Sequence, residues 1–531
     1  MALYNITASW NDPISPGPDY SLNYSLQWRI NSGADTQIDG ITAKSHQLQI
    51  DASAGDTLEI RVKTALYGDW TSRTAVVLQG CGGDESYFLY TQAELSIWES
   101  RATSGPYRNY GDTGANTPGD WTRVQTRASE FLASPSSDRW DGGVTTAGCV
   151  PQQGSTGGSE PINPNKIDKI EYAAFLSLVN DDATYRNAVK SEILGYYIPL
   201  AKADFSNTSR WCRGVNAIGD INPGFEIASG INRLLNAYVY IRSSLSTAEI
   251  ATIDAWFSSA GEYFMAMVDD DLDGIFSDRA SGVFSDPSGK ASPTPSSYSI
   301  TKSHDGGWDI PNAAKWWNNR RAQMVAFYSD VGVVIGNQAL TDSAKRFFQE
   351  WLKYAVAPDG TQLEWYRSST SAHEQGWNYN MATLYHMVRV ADVMARNGDS
   401  SLYTYSTSIG LGASAGGPKS LLQVLTSTCK YLDGTYQRYL QGHPGDEDYR
   451  LDGDETNRHF ILEAVVLPIA NIYYRDDYLK SIYLKTAPGS RPYPSSPQSA
   501  GAWQVWEGYG GTSPGVLFMH GQMENLVSPY T

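Results

Sequence analysis

The sequence has few cysteines, no long apolar run and a deficit of positive charge. It holds four cysteines in 531 residues, and none of them forms a Cys-x-x-Cys pair, which argues against a metal knuckle or a thioredoxin-like dithiol. Cys81 and Cys149 lie in glycine-rich segments, where a disulfide is one interpretation and two free thiols are the simpler one. No stretch approaches the roughly 20 apolar residues that span a bilayer. The sequence therefore predicts no membrane partner.

Acidic residues outnumber basic ones, with 57 Asp and Glu against 40 Lys and Arg and a net charge of −17. This excess argues against nucleic acid as a partner, because polyanions bind cationic surfaces. Any polyanion must therefore bind in a local cationic groove. Tyrosine and tryptophan, with 34 and 16 copies, outnumber the 14 phenylalanines, which suits a sugar-binding surface and equally a large tyrosine-rich one.

The first ten residues contain no basic segment followed by an apolar one, so they predict no classical signal peptide. The Gly/Ser-rich loops, and the order of a β-rich module followed by a helical one that is described below, favour an extracellular protein. Both a secreted bacterial protein and a phage virion-associated protein fit these features.

Residues 1–79 consist of short, alternating, β-prone runs separated by turn residues, which predicts an antiparallel β-sandwich. The predicted runs cover 4–10, 20–30, 45–50, 57–64 and 71–78. The segment that begins at Asn23, "NYSLQWRINSG", and the later "GDTLEIRVKTALYGDWTS" resemble a fibronectin type III module. Such a module usually spaces or docks a catalytic domain.

After a glycine-rich hinge at residues 80–83, the apolar period changes to that of an α-helix. Ser246 and Glu249 form a predicted capping box, and Asn397-Gly398 a predicted helix end. Further helices are predicted over roughly 168–203, 320–336, 342–357, 418–432 and 457–474. These features predict a mainly α-helical domain of stacked hairpins over residues 84–531, whose long loops are where clefts are usually built.

The first candidate site is the run Trp316, Trp317, Asn318, Asn319, Arg320 and Arg321 ahead of a helix. Tryptophan faces, amide donors and guanidinium groups together suit a uronic acid. The alternative is that the tryptophans belong to the core and the arginines are solvated.

The second candidate site combines Arg367, His373, Trp377, Asn378 and Tyr379 just ahead of an amphipathic helix. A cation lowers the pKa of a nearby tyrosine, which can then act as general base or acid, and a histidine can share that role. Taken alone, such a tyrosine is more often a packing residue.

Two weaker candidates complete the set. Asp269, Asp271 and Asp273 precede Gly274 as in the first half of a calcium loop, and Asp278 would complete an irregular site. An acidic solvated turn is the alternative. His459 precedes a helix and is either a cap or a distant part of the cleft.

Residues 200–410 resemble the alginate lyase superfamily of polysaccharide lyases. The resemblance rests on Asn318-Asn319, then a helical hairpin, then Asp-Gly…Glu…Arg ending at Arg367, then a tyrosine-bearing helix that runs into "ATLYHMVRVADVMARNGDSSLY". It implies an α/α toroid that cleaves a uronate-containing polysaccharide by β-elimination. It also implies that Asn318, Asn319 and Arg367 neutralise the carboxylate and that Tyr379 protonates the leaving oxygen. No cofactor is required by this chemistry, and a structural Ca²⁺ is the one metal that the sequence suggests.

The sequence departs from the family pattern where Arg320 replaces the histidine after Asn-Asn. An arginine cannot act as a base at ordinary pH, so His373 or Tyr379 alone becomes the candidate base. The substrate is then alginate, a glucuronan or a bacterial capsule or exopolysaccharide. The alternatives are a glycoside hydrolase on the same scaffold, with Asp305, Asp309 or Glu364 as acids, and a non-catalytic polysaccharide-binding or virion attachment protein.

Overall fold

The chain divides into two compact units, Met1–Ser86 and Tyr87–Thr531. The computed structural model of the protein describes residues 2–9, 24–41, 45–52, 57–64, 71, 74–77, 89–105, 108, 120–139, 167–201, 222–275, 317–362, 375–409, 418–432, 435, 466–485, 516–521 and 523.

The described part of the first unit consists of antiparallel strands. These are β1 Ala2–Ser9, β2 Tyr24–Ile30, β3 Thr36–Ile41, β4 Ser45–Ala52, β5 Thr57–Thr64 and β6 Thr74–Val77. Strand β1 pairs with β4, and the other four form a sheet in the order β3-β2-β5-β6. Leu26 of β2 is fully buried and lies opposite Val62 of β5, whereas Arg29 pairs with Glu59 between the same strands. Alternation of apolar and polar residues thus gives this sheet a core face and a polar face.

The described part of the second unit is mainly helical. Its helices are α1 Gln92–Thr103, α2 Asp120–Ala133, α3 Asp168–Val179, α4 Ala183–Glu192, α5 Ile198–Ala201, α6 Asn222–Ile241, α7 Thr247–Ile275, α8 Asn319–Ile335, α9 Gln338–Tyr354, α10 Gln375–Arg396, α11 Ser401–Thr404, α12 Leu421–Leu432, α13 Val466–Tyr474, α14 Asp477–Lys485 and α15 Val516–His520. Two-residue strands β7 Ser406–Thr407 and β8 Lys419–Ser420 pair with each other. The prediction of an antiparallel β region followed by a mainly helical one is confirmed at this level.

Local sequence signals set several helix ends. The capping box is present: the backbone N–H of Ser246 donates to the Glu249 carboxylate at 2.8 Å, and the Glu249 N–H donates to the Ser246 hydroxyl at 3.4 Å. Helix α10 ends at Arg396, and Gly398 follows with φ 93°, as the predicted Asn-Gly end requires. Gly336, with φ 73°, ends α8 and lets α9 fold back against it.

Helix contacts in the second unit follow a closed order. Helix α3 contacts α6, α6 contacts α8, α8 contacts α10, α10 contacts α13, α13 contacts α15, α15 contacts α1, and α1 contacts α3. The intervening helices α2, α4, α7 and α9 pack against members of this series. Trp121 stacks on Phe518, with 5.5 Å between ring centroids, and Trp98 packs at a tilt against Phe175 at 5.3 Å, which adds an aromatic core where the series closes.

Helices α6 and α10 run in the same direction. Arg389 of α10 donates to the amide oxygen of Asn236 in α6 at 2.9 Å. One turn after Asn236, Tyr240 packs against Tyr90, with 6.1 Å between centroids, just ahead of α1. Arg396, two turns after Arg389, forms an ion pair with the first turn of α1. Both helices therefore approach α1 with their carboxyl ends.

Helix α8 runs in the same direction as α6 and α10. The short connection between α6 and α7 makes those two helices antiparallel. Glu262 of α7 accepts a hydrogen bond from Asn337 just after α8, whereas the later Asp269 accepts one from Ser343, which contacts Tyr328 in the middle of α8. Helix α7 is thus antiparallel to α8 as well. The amino ends of α6, α8 and α10 lie at one end of the helical unit.

No described helix is long and apolar enough to cross a membrane.

Candidate functional site

The start of α8 is built around Asn318. Its side-chain oxygen accepts hydrogen bonds from the backbone N–H groups of Arg320 and Arg321, both at 3.1 Å, so Asn318 is the N-cap of the helix. Because the oxygen is used by the cap, the amide NH₂ is the group with which Asn318 could bind a carboxylate. The helix amino end adds a partial positive charge at the same place.

Asn319 and the two arginines differ in exposure. Asn319 is 5% exposed and Arg321 is fully buried, whereas Arg320 is half-buried. Of the two predicted arginines, Arg320 therefore remains the one that solvent reaches at the start of α8.

Trp317 lies in the core. Its side chain is 1% exposed, its indole N–H donates to a Glu350 carboxylate oxygen at 3.1 Å, and its ring centroid lies 5.0 Å from that of Tyr354. The ring thus packs between the start of α8 and the end of α9 in this structure. The alternative interpretation of the sequence, in which this tryptophan belongs to the core, matches the burial of Trp317 here. A ring buried in this way offers no face to a sugar.

The start of α10 holds the second predicted group. Trp377, Asn378 and Tyr379 are the third, fourth and fifth residues of α10, Gln375–Arg396, and the backbone there is helical. Their side chains fall outside the described part of the structure.

A buried ion pair fixes the axial register of α8 and α10. Asp330 of α8 is fully buried and accepts a hydrogen bond from the Arg389 guanidinium of α10 at 2.6 Å. Asn319 precedes Asp330 by 330 − 319 = 11 residues, and position 378 precedes Arg389 by 389 − 378 = 11 residues. Eleven residues are close to three helical turns and about 16 Å of axis. Because the two helices are parallel, Asn319 and the Asn378-Tyr379 backbone lie at the same height, at the end where α6 also begins.

Two further buried side chains, Asn236 and Glu171, extend the polar network around this pair. The Asn236 amide donates to Glu171 of α3 at 2.8 Å and accepts from Arg389. Desolvation raises the pKa of Asp330 to about 6, although the Arg389 charge opposes the shift. The carboxyl is therefore ionised at neutral pH, and its charge raises the pKa of Arg389 against the effect of burial.

His386 lies one turn before Arg389 and is 2% exposed. Desolvation, reinforced by the Arg389 charge, lowers its pKa to about 3. The imidazole is therefore neutral at any ordinary pH, so His386 cannot supply a positive charge to the site.

A cavity lies at the opposite end of these helices, where α6, α10, α13 and α15 meet. Arg389, Arg396, Asp392 and His520 are among the side chains that line it. Arg396 is paired with Asp392 and with the first turn of α1 at 2.8 and 2.5 Å. The cavity is thus walled by ion pairs at the carboxyl ends of the helices, away from the amino ends that carry the predicted groups.

Several predicted residues lie outside the described part of the chain. These are Trp316, Arg367, His373, His459 and Asp278. The proximity of Arg367 and His373 to Tyr379 therefore stays a prediction.

The acidic residues of the predicted calcium site lie on a helix. Asp269 and Asp273 belong to α7, where Asp269 pairs with Arg346 at 2.7 Å and accepts from Ser343 at 2.8 Å. Residues two apart on a helix, as Asp269 and Asp271 are, project about 200° apart. In the described residues no group of three His, Cys, Asp or Glu could hold a metal ion. Asp278 lies outside the described residues, so the calcium site stays a prediction.

The motif-based prediction missed the buried polar groups beneath the site, namely Asp330, Arg389 and Asn236. One signal was present: Asp330 and Arg389 each place a charge in a mostly apolar helical stretch, "VAFYSDVGVVI" and "LYHMVRVADVM". A charge in such a stretch is stable only with a partner. The sequence could have indicated that each of these charges has a buried partner. It could not have indicated that Asp330 and Arg389 are partners of each other.

No protein-family model and no curated protein matches the chain significantly.

Proposed function

We propose that the protein is a polysaccharide lyase that cleaves a uronate-containing acidic polysaccharide by β-elimination. The observation that carries this proposal is the common height of Asn319 and the Tyr379 backbone at adjacent parallel helix starts, set by the Asp330–Arg389 ion pair. An amide for the carboxylate and a tyrosine for the leaving oxygen are the two groups that elimination needs near one sugar.

The reaction divides among these groups. Amide N–H groups and an arginine bind the C6 carboxylate and stabilise the charge that develops when the C5 proton leaves. The C5–H electrons form the C4–C5 double bond, the C4–O4 bond breaks, and Tyr379 gives its phenolic proton to O4. Either His373 removes the C5 proton while Tyr379 is the acid, or Tyr379 begins as the phenolate, takes the C5 proton and passes that same proton to O4. Arg320, whose guanidinium stays protonated, serves the carboxylate and not the proton transfer.

We further propose that the helical unit is an α/α toroid. The closed order of contacts through α3, α6, α8, α10, α13, α15 and α1 supports this, as does the packing of α2, α4, α7 and α9 against those helices. In such a ring the amino ends of the inner helices meet around one opening, which suits a groove for a chain-like substrate.

The N-terminal unit is proposed to be a β-sandwich of the fibronectin type III kind. In immunoglobulin-like sandwiches the second strand pairs with the fifth, and the third, sixth and seventh strands share the other sheet. The pairing β1-β4 and the order β3-β2-β5-β6 match that arrangement if β1 corresponds to the second strand and β4 to the fifth. Its role would be to dock or space the helical unit, in a secreted or virion-associated protein.

The test is a screen of the full chain against alginate, glucuronan and acidic capsular polysaccharides. Elimination creates a conjugated double bond that absorbs ultraviolet light, hydrolysis creates only new reducing ends, and a binding protein creates neither. The proposal requires ultraviolet absorbance to rise in step with new reducing ends on at least one polymer. Reducing ends without absorbance would assign a hydrolase instead, and binding without either product would assign an attachment protein.

A further inference from the structure

Gln323 is a buried amide on α8 with both of its polar atoms unused. The residue is 2% exposed, and neither Nε2 nor Oε1 has a hydrogen-bond partner in the described structure. A buried polar atom left in this state lowers the stability of the folded protein, because it has given up its hydrogen bonds to water. This burial is explained if a bound ligand forms hydrogen bonds with both Nε2 and Oε1 of Gln323.

The position of Gln323 connects it to the candidate site. It lies 330 − 323 = 7 residues before Asp330, close to two turns, and 323 − 319 = 4 residues after Asn319, close to one turn. All three residues thus share one stripe of α8, the stripe that meets Arg389 of α10. Helical side chains lean toward the amino end, so the Gln323 amide extends from its backbone toward the level of Asn319, about 6 Å away along the axis.

The chemistry of the amide narrows the ligand. A carboxylate offers only acceptors and would leave Oε1 unused. A sugar hydroxyl both donates and accepts, so it can satisfy Nε2 and Oε1 in turn. The Gln323 amide, placed beside a carboxylate-binding group, is therefore suited to bind a ring hydroxyl of a uronate and not its carboxylate.

We propose that Gln323 is a substrate-binding residue that hydrogen-bonds a free ring hydroxyl of the uronate whose carboxylate Asn319 binds. This assignment rests on the proposed function and adds the residue that selects a uronate with that hydroxyl unsubstituted. Gln323 contacts substrate but carries no proton in the reaction.

The experiment uses Gln323→Met, which keeps the side-chain size and removes both polar atoms. Ser329→Ala is the matched control, because Ser329 lies on the same helix, is fully buried and has no partner for its hydroxyl in the described structure, yet lies one residue off the Asn319 stripe. Calorimetry measures binding of short mannuronate, guluronate and glucuronate oligomers, with each variant placed in a Tyr379→Phe background to prevent cleavage. Ultraviolet assays measure kcat/KM of the same variants without that background.

We expect Gln323→Met to weaken binding and lower kcat/KM by about tenfold or more, while its melting temperature without ligand stays equal or rises. Ser329→Ala should change neither binding nor kcat/KM by more than about twofold. Normal binding by Gln323→Met would overturn the assignment, as would a lower melting temperature without any loss of affinity.

The two proposals fail separately. If oligomers bind and no absorbing product forms, the lyase proposal fails, and the dissociation constants still decide the role of Gln323. If wild type eliminates and Gln323→Met does so equally well, the role of Gln323 fails and the lyase proposal stands. If no uronate oligomer binds, both are overturned.

Discussion

His386, which is buried beneath the candidate site, makes the free energy of unfolding depend on pH in the acid range. Its imidazole is buried, its Nε2 has no partner in the described structure, and its pKa falls to about 3. Tyr385 contacts the ring and Arg389 adds a like charge that opposes protonation. In the unfolded chain the same imidazole takes up a proton near pH 6.5. The unfolded state therefore binds more protons between these two pH values, so the free energy of unfolding falls as the pH falls through that window.

Replacing His386 with phenylalanine should remove this part of the acid sensitivity. We expect urea unfolding of wild type to lose a few kcal/mol more than His386→Phe between about pH 6.5 and pH 3.5, because only wild type takes up that proton on unfolding. Ser329→Ala, which alters a buried group that does not titrate, should follow wild type. Identical pH profiles for wild type and His386→Phe would contradict the assignment of a depressed pKa.

At the same scale, Trp317 marks what the sequence could not decide. Its hydrogen-bond partner Glu350 is 33 residues away in the chain, so neither the partner nor the burial of the indole is visible in the local sequence. The same residues were correctly read as a helix start, because the Asn318 cap acts within three residues. Local chemistry was predictable, and the choice between core and cleft depended on packing across helices.

At the scale of elements, Gly360 fixes the turn that follows α9 and leads toward Arg367. Its φ is 84°, and an added Cβ would lie 2.5 Å from the Gln423 carbonyl oxygen of α12. Gly336 also has a positive φ, 73°, but nothing lies within 4 Å of an added Cβ there. Substitution of Gly336 therefore tests the cost of the left-handed backbone alone, whereas substitution of Gly360 adds the cost of a steric clash with α12.

We expect Gly336→Ala to cost about 1 kcal/mol for the left-handed backbone alone. Gly360→Ala should cost at least about 2 kcal/mol, because the turn must also move away from α12. Denaturant unfolding of the two variants measures this difference. Equal losses would mean that the turn does not touch α12 as described.

The Asp330–Arg389 pair holds α8 against α10. Asp330→Leu would leave Arg389 buried without its charge partner and should cost about 3–5 kcal/mol, and Arg389→Met is the second single variant. The double variant Asp330→Leu with Arg389→Met removes both charges and should recover most of this loss. A double-mutant cycle by urea unfolding measures the coupling. Additive losses in the double variant would contradict a direct contact between the two side chains.

The elements themselves were largely predictable. Strand β5 matches its predicted run at 57–64, and α8 at 319–335 lies within one residue of its predicted start and end. Strand β3 was missed because its sequence, TQIDGI, is polar and mostly exposed and so lacks a core-facing alternation. The window at 168–203 is broken in the structure at Asp181, whose φ is 51°. A positive φ in a residue other than glycine depends on the packing of α3 and α4 and has no strong sequence signal.

At the scale of the whole molecule, the two compact units predict independent folding. A chain that begins at residue 87 should keep the helical signal and the cooperative unfolding of the second unit, because its core is formed within Tyr87–Thr531. Circular dichroism and thermal unfolding of this truncated chain, compared with the full chain, measure the prediction. Loss of helical signal on removal of the first unit would contradict it.

The net charge of −17 restricts where a polyanion can bind. Near the start of α8, Arg320 is half-buried, and the helix amino end adds positive potential. An acidic exterior with a local cationic groove is therefore the arrangement that the lyase proposal requires. Its prediction is a rate of cleavage that falls with rising salt, since the attraction is electrostatic.

The role of Tyr379 is the central claim, and the initial rate of ultraviolet absorbance with Tyr379→Phe tests it most directly. On any polymer that wild type degrades, the account predicts a loss of about 10²-fold or more in kcat, because phenylalanine keeps the ring and removes the proton that O4 needs. Folding of the variant is checked by its melting temperature. A Tyr379→Phe protein that folds normally and retains most of its activity would contradict the account.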